Sequence, residues 1–153
     1  MELKEKLISS FMAFEEKLDL NTDIHNIRSK SFDYFEKNGF PTKKNEAWKY
    51  TSLEKLLKND YRIFPKKDIS IELKDVKKYF LYDLDTYKIV FIDGIYSPFL
   101  SDTTHDGLDV CLLSAALNKP KYKKVIKKYF NKIVNKNDSL TSLNTSFTKE
   151  GAY

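Results

Sequence analysis

The chain of 153 residues has very little cysteine, and this scarcity restricts its chemistry. Its single thiol, Cys111, excludes an internal disulfide framework and any zinc or iron–sulfur site that needs several thiolates from one chain. Cys111 stands between Val110 and Leu112, and free cysteine is among the most buried residue types. We therefore expect a buried, inert thiol, with iron ligation as the less favoured alternative.

Arginine is also scarce, because Arg28 and Arg62 are the only two, although the formal net charge is +5. Proteins that read nucleic-acid sequence use arginine for bidentate contacts to bases and phosphates. A lysine-rich nucleic-acid-binding module remains an alternative because residues 119–136 carry lysines and no acid (Lys119, Lys121, Lys123, Lys124, Lys127, Lys128, Lys132, Lys136). The aromatic residues of this segment fall on its apolar stripe, which favours packing, so nucleic acid is not the expected partner.

Long apolar runs and glycine-rich loops are missing as well. No stretch approaches the ~20 apolar residues of a membrane span, and residues 1–6 carry acids where a secretory signal is basic. We expect a cytoplasmic protein without a membrane partner. Neither a phosphate-binding glycine loop nor a Ser–His–Asp arrangement is readable, so we expect no enzyme. Asp102, His105 and Asp106 share one loop, but such residues are typical of turns, and we expect no metal there.

Hydrophobic periodicity predicts helices in the first half of the chain and mixed structure after it. The predicted helices lie near residues 2–19, from Asn21 or Thr22 to Gly39, and across 52–59, 73–81, 119–136 and 139–147. Residues 89–92, Asp93-Gly94 and residues 95–96 predict a hairpin, and residues 110–113 a third strand. The predicted class is α+β, with a mainly helical region 1–82 and an α/β region 83–153 that contains the hairpin and short strands.

A segment between two predicted helices contains the only tryptophan, Trp48. Gly39 is expected to end one helix, Pro41 to force an extended exit, and Thr51 with Glu54 to form a capping box for the next. Trp48 is expected to be a core side chain; the alternative is a partner surface, since Trp and Tyr often anchor interfaces. The candidate structural or interaction residues are Glu46, Trp48, Lys49, Tyr50 and Thr51.

The same segment resembles the N-terminal signature of the SufD family, through Gly39-Phe40-Pro41-Thr42 and Glu46-Ala47-Trp48-Lys49-Tyr50-Thr51. Further similarities follow in order at residues 87–94, 99–101, 107–117, 143–147 and 151–153; Asp93 and Ser146 stand where the family usually has Asn and Ala. The resemblance implies the N-terminal domain of a scaffold subunit for iron–sulfur cluster assembly, leading into a β-helix beyond residue 153. It also implies SufB-like and SufC-like (ATPase) partners for the full-length protein, a cluster assembled by the whole complex, and no cofactor in this fragment.

Overall fold

A computed structural model describes residues 2–18, 23–64, 70–103, 105–134, 137–149 and 151–153. The chain forms two compact units, which are described separately below. Unit 1 comprises Met1–Ile63 with Val125–Thr148, and unit 2 comprises Phe64–Lys124 with Lys149–Tyr153. The predicted division into a helical region 1–82 and an α/β region 83–153 stays a prediction.

Unit 1 is helical. It contains α1 (Leu3–Glu15), α2 (Asp23–Asn38), a 3₁₀ turn (Glu46–Trp48), α3 (Glu54–Leu57), the end of α6 (Pro120–Tyr129) and α7 (Ser139–Ser146). Helix α2 makes its main contact with α7. The Phe11 ring of α1 stacks on the Phe32 ring of α2 at 3.8 Å between centroids, and Phe147 meets Phe11 edge-on at 5.7 Å. Aromatic packing of three sequence-distant segments therefore forms the core.

Helix α2 ends where the sequence predicts. Gly39 has a φ of 65°, and its amide donates a 2.7 Å hydrogen bond to the carbonyl of Phe35. A left-handed residue just after a helix is the usual terminator, and glycine adopts this conformation without a Cβ penalty. The predicted caps at the other end, Asn21 and Thr22, lie outside the described residues.

Helix α3 is shorter than predicted, and its predicted capping box is wrong. The N-cap is Leu53, whose side chain makes no capping bond. The amide of Glu54 instead donates to the Ser52 hydroxyl at 3.4 Å. Leu56 of this helix is 54% exposed. With a single turn of helix, α3 has no length over which a continuous apolar face could be buried.

Unit 2 contains α4 (Leu73–Val76), a 3₁₀ turn (Lys77–Tyr79), β1 (Phe91–Ile92), β2 (Ile95–Tyr96), a second 3₁₀ turn (Pro98–Leu100), α5 (Leu113–Leu117) and the start of α6. The predicted hairpin is confirmed: β1 and β2 pair antiparallel, with Phe91 opposite Tyr96 and Ile92 opposite Ile95. Asp93 and Gly94 between them have φ values of 49° and 77°. Positive φ at both positions is what a two-residue type I′ turn requires.

The predicted third strand at residues 110–113 is wrong. Leu112 forms an isolated antiparallel bridge to Ala152, and Leu113 already begins α5. Cys111 and Tyr153 exchange two backbone hydrogen bonds, of 3.1 and 2.9 Å. The backbone of this apolar run is therefore extended as far as the bridge at Leu112 and helical from Leu113 onward. Leu113 and Ala116 are buried as residues of α5.

Helices and one two-stranded antiparallel sheet in the described residues agree with the predicted α+β class. The β-helix implied by the resemblance concerns residues beyond this chain and stays a prediction. No helix formed by the described residues is long and apolar enough to cross a membrane.

Candidate interaction site around Trp48

A hydrogen-bonded turn positions Trp48. The Asn45 side-chain oxygen accepts a 2.8 Å hydrogen bond from the amide of Thr42, and the Asn45 carbonyl accepts one of 2.8 Å from the amide of Trp48. Asn side chains commonly stabilise turns through such bonds to nearby backbone. The 3₁₀ turn Glu46–Trp48 is thus built locally, without buried residues of its own.

The Trp48 side chain is half-buried and lies close enough to the carboxylate of Asp138 to help lower its pKa. Asp138 is the N-cap of α7, where it accepts a 2.6 Å hydrogen bond from the amide of Thr141. This amide bond, helped by the Thr141 and Trp48 side chains, lowers the pKa of Asp138 below its usual value. Trp48 therefore lies where the 3₁₀ turn comes near the start of α7. Its burial is intermediate between the two predictions, a core side chain and an exposed partner surface.

The other candidate residues face outward from the same turn. Tyr50 is 91% exposed, and the Lys49 ammonium lies 5.5 Å from the centre of its ring. Glu46 and Thr51 are also exposed, and the Thr51 amide donates to the carbonyl of Trp48 at 3.0 Å. The five residues therefore share one turn, in which Trp48 is anchored and Tyr50 is presented to solvent.

Sequence reasoning missed Asp138. An available signal was its position directly before the apolar-periodic segment 139–147, since Asp is a preferred N-cap. Nothing in the sequence indicated that the same carboxylate would lie near Trp48, because the two residues lie far apart along the chain.

A buried ion pair in unit 1 was missed as well. The Nε of Arg28 donates a 2.5 Å hydrogen bond to Oε1 of Glu15, and its Nη1 donates to the carbonyl of Thr148 at 3.3 Å. Nδ1 of His25 contacts the other oxygen of Glu15. Both Glu15 and Arg28 are buried, and Arg28 Nη2 has no hydrogen-bond partner among the described residues. The pair joins α1, α2 and the end of α7, because one guanidinium can donate in several directions.

Of the residues that were weighed as metal ligands, the structure brings Asp102 and His105 together. Cys111 is half-buried rather than buried, which corrects the predicted burial of its thiol. Nε2 of His105 lies 2.7 Å from Oδ1 of Asp102, and both side chains are exposed. Across the described residues, no three His, Cys, Asp or Glu side chains come together as a group that could hold a metal ion.

The lysine-rich segment forms α6 only as far as Tyr129, and its apolar stripe is less buried than predicted. Ile126 is buried, whereas Tyr129 is 49% and Ile133 is 83% exposed. The Lys128 ammonium lies 5.0 Å from the centre of the Tyr129 ring. Asn131, with a φ of 53°, stands just beyond the helix. The expectation that the aromatic residues of this segment are used for packing is therefore wrong for Tyr129.

Fold and site together describe an α+β chain that presents one anchored and one exposed aromatic side chain on a turn. The sequence model of the family described as "SufBD protein N-terminal region" matches residues 1–153, and the chain belongs to this family. Over 77 residues the chain is 40% identical to the iron-sulfur cluster assembly protein SufD of Escherichia coli (strain K12). That match covers 50% of this chain and 17% of the relative's length. The resemblance to SufD is confirmed, and no solved structure matches the chain.

Proposed function

We propose that the chain is the N-terminal part of a scaffold subunit for iron–sulfur cluster assembly. The observation that carries this proposal is the family match over all 153 residues, which agrees with the similarity to a SufD protein. The partners would be SufB-like and SufC-like subunits in the cytoplasm, bound through the full-length protein. ATP chemistry would belong to the SufC-like subunit, and this fragment would be non-catalytic by itself.

Within that function, the turn at residues 46–51 is the surface that we propose for protein contacts. Interface energies are dominated by a few aromatic and arginine side chains, and Tyr is among the most frequent of them. Tyr50 is almost fully exposed, while Trp48 is half-buried and lies near Asp138 at the start of α7. An exposed aromatic residue on an anchored turn loses little conformational entropy when a partner covers it.

Co-purification tests the scaffold assignment. Full-length protein and residues 1–153 would each be combined with the SufB-like and SufC-like subunits of the same organism. Retention of the full-length form supports the assignment, and retention of residues 1–153 as well would assign a docking surface to this fragment. If neither form is retained, the scaffold assignment is wrong.

A pair of matched variants tests the contact surface. Tyr50→Ala should weaken partner retention at least tenfold, because it removes the exposed aromatic anchor of the turn. Tyr79→Ala is the control, since Tyr79 is 75% exposed and lies 5.1 Å from the Lys78 ammonium, which reproduces the Lys49–Tyr50 pair elsewhere. Equal effects of the two variants would show that the turn at residues 46–51 is not the contact surface.

A nucleic-acid-binding module remains the second candidate, favoured by the lysines of α6 and the exposed Tyr129. Lysine contacts to phosphates release counterions, so such binding would weaken steeply as salt rises. Binding of labelled single-stranded RNA and DNA at about 50 and about 200 mM salt decides this, since several phosphate contacts would lower affinity by roughly 10³-fold over that range. A signal that is absent or insensitive to salt excludes the module.

A further inference from the structure

One face of the hairpin in unit 2 is apolar and partly open to solvent. Strand β1 pairs with β2, and an isolated antiparallel bridge extends the pairing just before β1. Because side chains alternate along extended backbone, Tyr87, Ile89 and Phe91 lie on one side of this segment. Tyr96 lies on the same side, since it is paired with Phe91 and the two ring centres are 5.7 Å apart. We call these four residues the hairpin face.

The two sides of the hairpin differ in exposure. On the hairpin face, Tyr87 is 59% and Ile89 is 44% exposed. On the other side Ser97 is buried, and the Lys88 ammonium lies 5.9 Å from the centre of the Phe80 ring. The hairpin therefore packs through the side of Ser97 and Lys88. Contiguous exposed apolar residues with a polar surround are typical of protein interaction sites.

The sequence around the hairpin face is acidic, although the chain as a whole is basic. Residues 82–110 contain one lysine and no arginine or glutamate, against six aspartates (Asp83, Asp85, Asp93, Asp102, Asp106, Asp109). The one lysine, Lys88, lies on the other side of the hairpin, where its ammonium donates to the carbonyl of Thr86 at 2.7 Å. It therefore does not neutralise the hairpin face.

Three of these aspartates lie next to the hairpin face. Asp85 comes two residues before Tyr87, Asp93 follows β1 in the turn, and Asp106 adjoins His105, whose ring lies 4.3 Å from that of Tyr87. All three aspartates are exposed, and none forms an ion pair within the described part of the chain. The hairpin face thus combines an apolar centre with an unneutralised acidic rim.

Unit 1 carries a surface with the opposite charge at the end of α6. Val125 and Tyr129, which are 43% and 49% exposed, are neighbours one helical turn apart. Lys128 lies beside them, the Lys132 amide donates to the Tyr129 carbonyl at 3.0 Å, and Ile133 is 83% exposed. Both lysines are exposed, and neither forms an ion pair with another described residue. We call these five residues the α6 strip.

We propose that the hairpin face of one copy of this chain docks on the α6 strip of a second copy. Each surface has apolar residues beside charged ones, and the charges are opposite in sign. Docking would cover the exposed apolar side chains and place aspartates opposite lysines, the complementarity that fixes register and disfavours wrong partners. Because the two surfaces differ, two such contacts related by a two-fold axis close a dimer, and a contact that does not close adds further copies. The proposal does not depend on the scaffold role.

Sedimentation equilibrium of the 153-residue chain, from micromolar to millimolar concentration, tests self-association. We expect the mass to rise above that of one chain as the concentration rises. Association should weaken when salt increases from ~0.1 to ~1 M, because the electrostatic screening length falls from ~10 to ~3 Å. A chain that stays monomeric over the whole range overturns the proposal, and so does association that salt leaves unchanged.

Charge reversal tests which surfaces meet. One variant combines Lys128→Asp with Lys132→Asp, and the other combines Asp85→Lys with Asp106→Lys. Each variant alone should associate at least tenfold more weakly than the wild type, because like charges then face each other. An equimolar mixture should associate again, since both the unchanged and the reversed surfaces of the two variants are complementary. If the folded variants do not associate with each other, the proposed pairing is wrong.

An apolar substitution and its controls complete the test. Ile89→Ser should weaken self-association about fivefold. Leu56→Ser is the matched control, because Leu56 is 54% exposed on α3, and Lys55→Asp is the control for charge. Equal weakening by the controls overturns the proposal, since the attraction would then be non-specific. It is also overturned if the chain is monomeric and Ile89→Ser instead lowers its retention by a SufB-like subunit, because the hairpin face would then belong to that partner.

Discussion

The two units of this chain stabilise their structure in different ways. Unit 1 buries large apolar side chains from several helices (Leu7, Phe11, Phe14, Ile24, Phe32, Phe35, Ile126). In unit 2 the buried apolar side chains among the described residues are Leu113 and Ala116, whereas many large apolar side chains are exposed (Leu73, Tyr79, Leu81, Tyr82, Leu84, Tyr87, Ile89, Phe99). Since apolar burial is the main favourable term in folding, unit 1 has the larger internal source of stability.

Unit 2 instead depends on hydrogen-bonded turns. Around the hairpin, the amide of Ser97 donates to the carbonyl of Val90, and the Ser101 hydroxyl both accepts from the Val90 amide and donates to the Ser97 carbonyl. A typical hydrogen bond contributes only about 1 kcal/mol net, because water competes for the same groups. The comparison teaches that equivalent substitutions should have larger effects in unit 1 than in unit 2.

The largest difference is expected for phenylalanine truncation. Phe35 is completely buried and meets Phe40 edge-on at 5.1 Å, whereas Phe99 is 94% exposed. Phe35→Ala should lower the free energy of unfolding by about 4 kcal/mol, through lost burial and the cavity that remains. Phe99→Ala should change it by less than about 0.5 kcal/mol. Urea denaturation followed by circular dichroism measures both, and similar values would contradict the contrast between the units.

Ion pairs give the next contrast. Arg28→Met should lower the free energy of unfolding by about 3 kcal/mol, because it leaves the buried carboxylate of Glu15 without its cation. Lys121→Met should have an effect of under about 1 kcal/mol, since the Lys121–Asp109 pair of unit 2 is exposed at 3.8 Å. Thermal denaturation compares them. If the loss does reflect an unpaired buried charge, the double variant Glu15→Leu, Arg28→Met should recover most of it.

Backbone conformation gives a smaller effect. Gly39→Ala in unit 1 and Gly94→Ala in unit 2 each place a side chain at positive φ, at a cost of about 1–2 kcal/mol. For Gly39 this should lower the global denaturation midpoint, and for Gly94 it should mainly accelerate amide hydrogen exchange in the hairpin. Gly151→Ala is the control, because its φ lies outside the positive region and its added Cβ meets nothing within 4 Å. A Gly94→Ala variant that lowers the global midpoint as much as Gly39→Ala would show that the hairpin opens only with global unfolding.

The smallest contrast concerns helix caps. Asp138→Ala removes the N-cap of α7 in unit 1 and should lower the free energy of unfolding by about 1 kcal/mol. Trp48→Phe, which keeps an aromatic ring but loses the indole N–H near Asp138, should lower it by less than about 1 kcal/mol. Asp75→Ala, which removes the first-turn acid of the α4 capping box in unit 2, should lower it by less than about 0.5 kcal/mol.

The Asp138 cap also predicts a pH dependence. Its pKa is lowered in the folded chain from a usual value of 3.8, so its contribution to stability is fully present above that value. The contribution is lost as the pH falls from about 3.8 through the lower folded-state pKa. Denaturation of the wild type and of Asp138→Asn between pH 7 and pH 2 measures this. A constant difference between the two over the whole range would contradict the role of the charged cap.

Elements governed by local chemistry were predictable from the sequence. The end of α2 at Gly39, the hairpin turn at Asp93-Gly94 and the helix after Asp138 all appear where their residue types indicated. Helix lengths were overestimated, since α1 ends at Glu15 and α6 at Tyr129 although apolar periodicity continues past both. Periodicity shows that a face is apolar, but it does not show that another element covers that face.

In the candidate site, too, the features that depend on near neighbours were predictable from the sequence and those that depend on distant residues were not. The turn at residues 46–51 and the exposure of Tyr50 depend on near neighbours, whereas the anchoring of Trp48 depends on Asp138. The prediction of a third strand was wrong for a related reason. Residues 110–113 have strand-like composition, but among the described residues they form only an isolated bridge, between Leu112 and Ala152. Strand composition alone does not supply a neighbouring strand.

By itself, the sequence determined the helix stop at Gly39, the hairpin register, the α+β class and membership of the SufBD N-terminal family. Each of these follows from backbone preferences or from motifs that involve residues close together in the chain. Only the tertiary structure decided the position of Trp48 near Asp138 and the buried Glu15–Arg28 pair. These features join residues from different helices, and their positions depend on how the aromatic core brings those helices together.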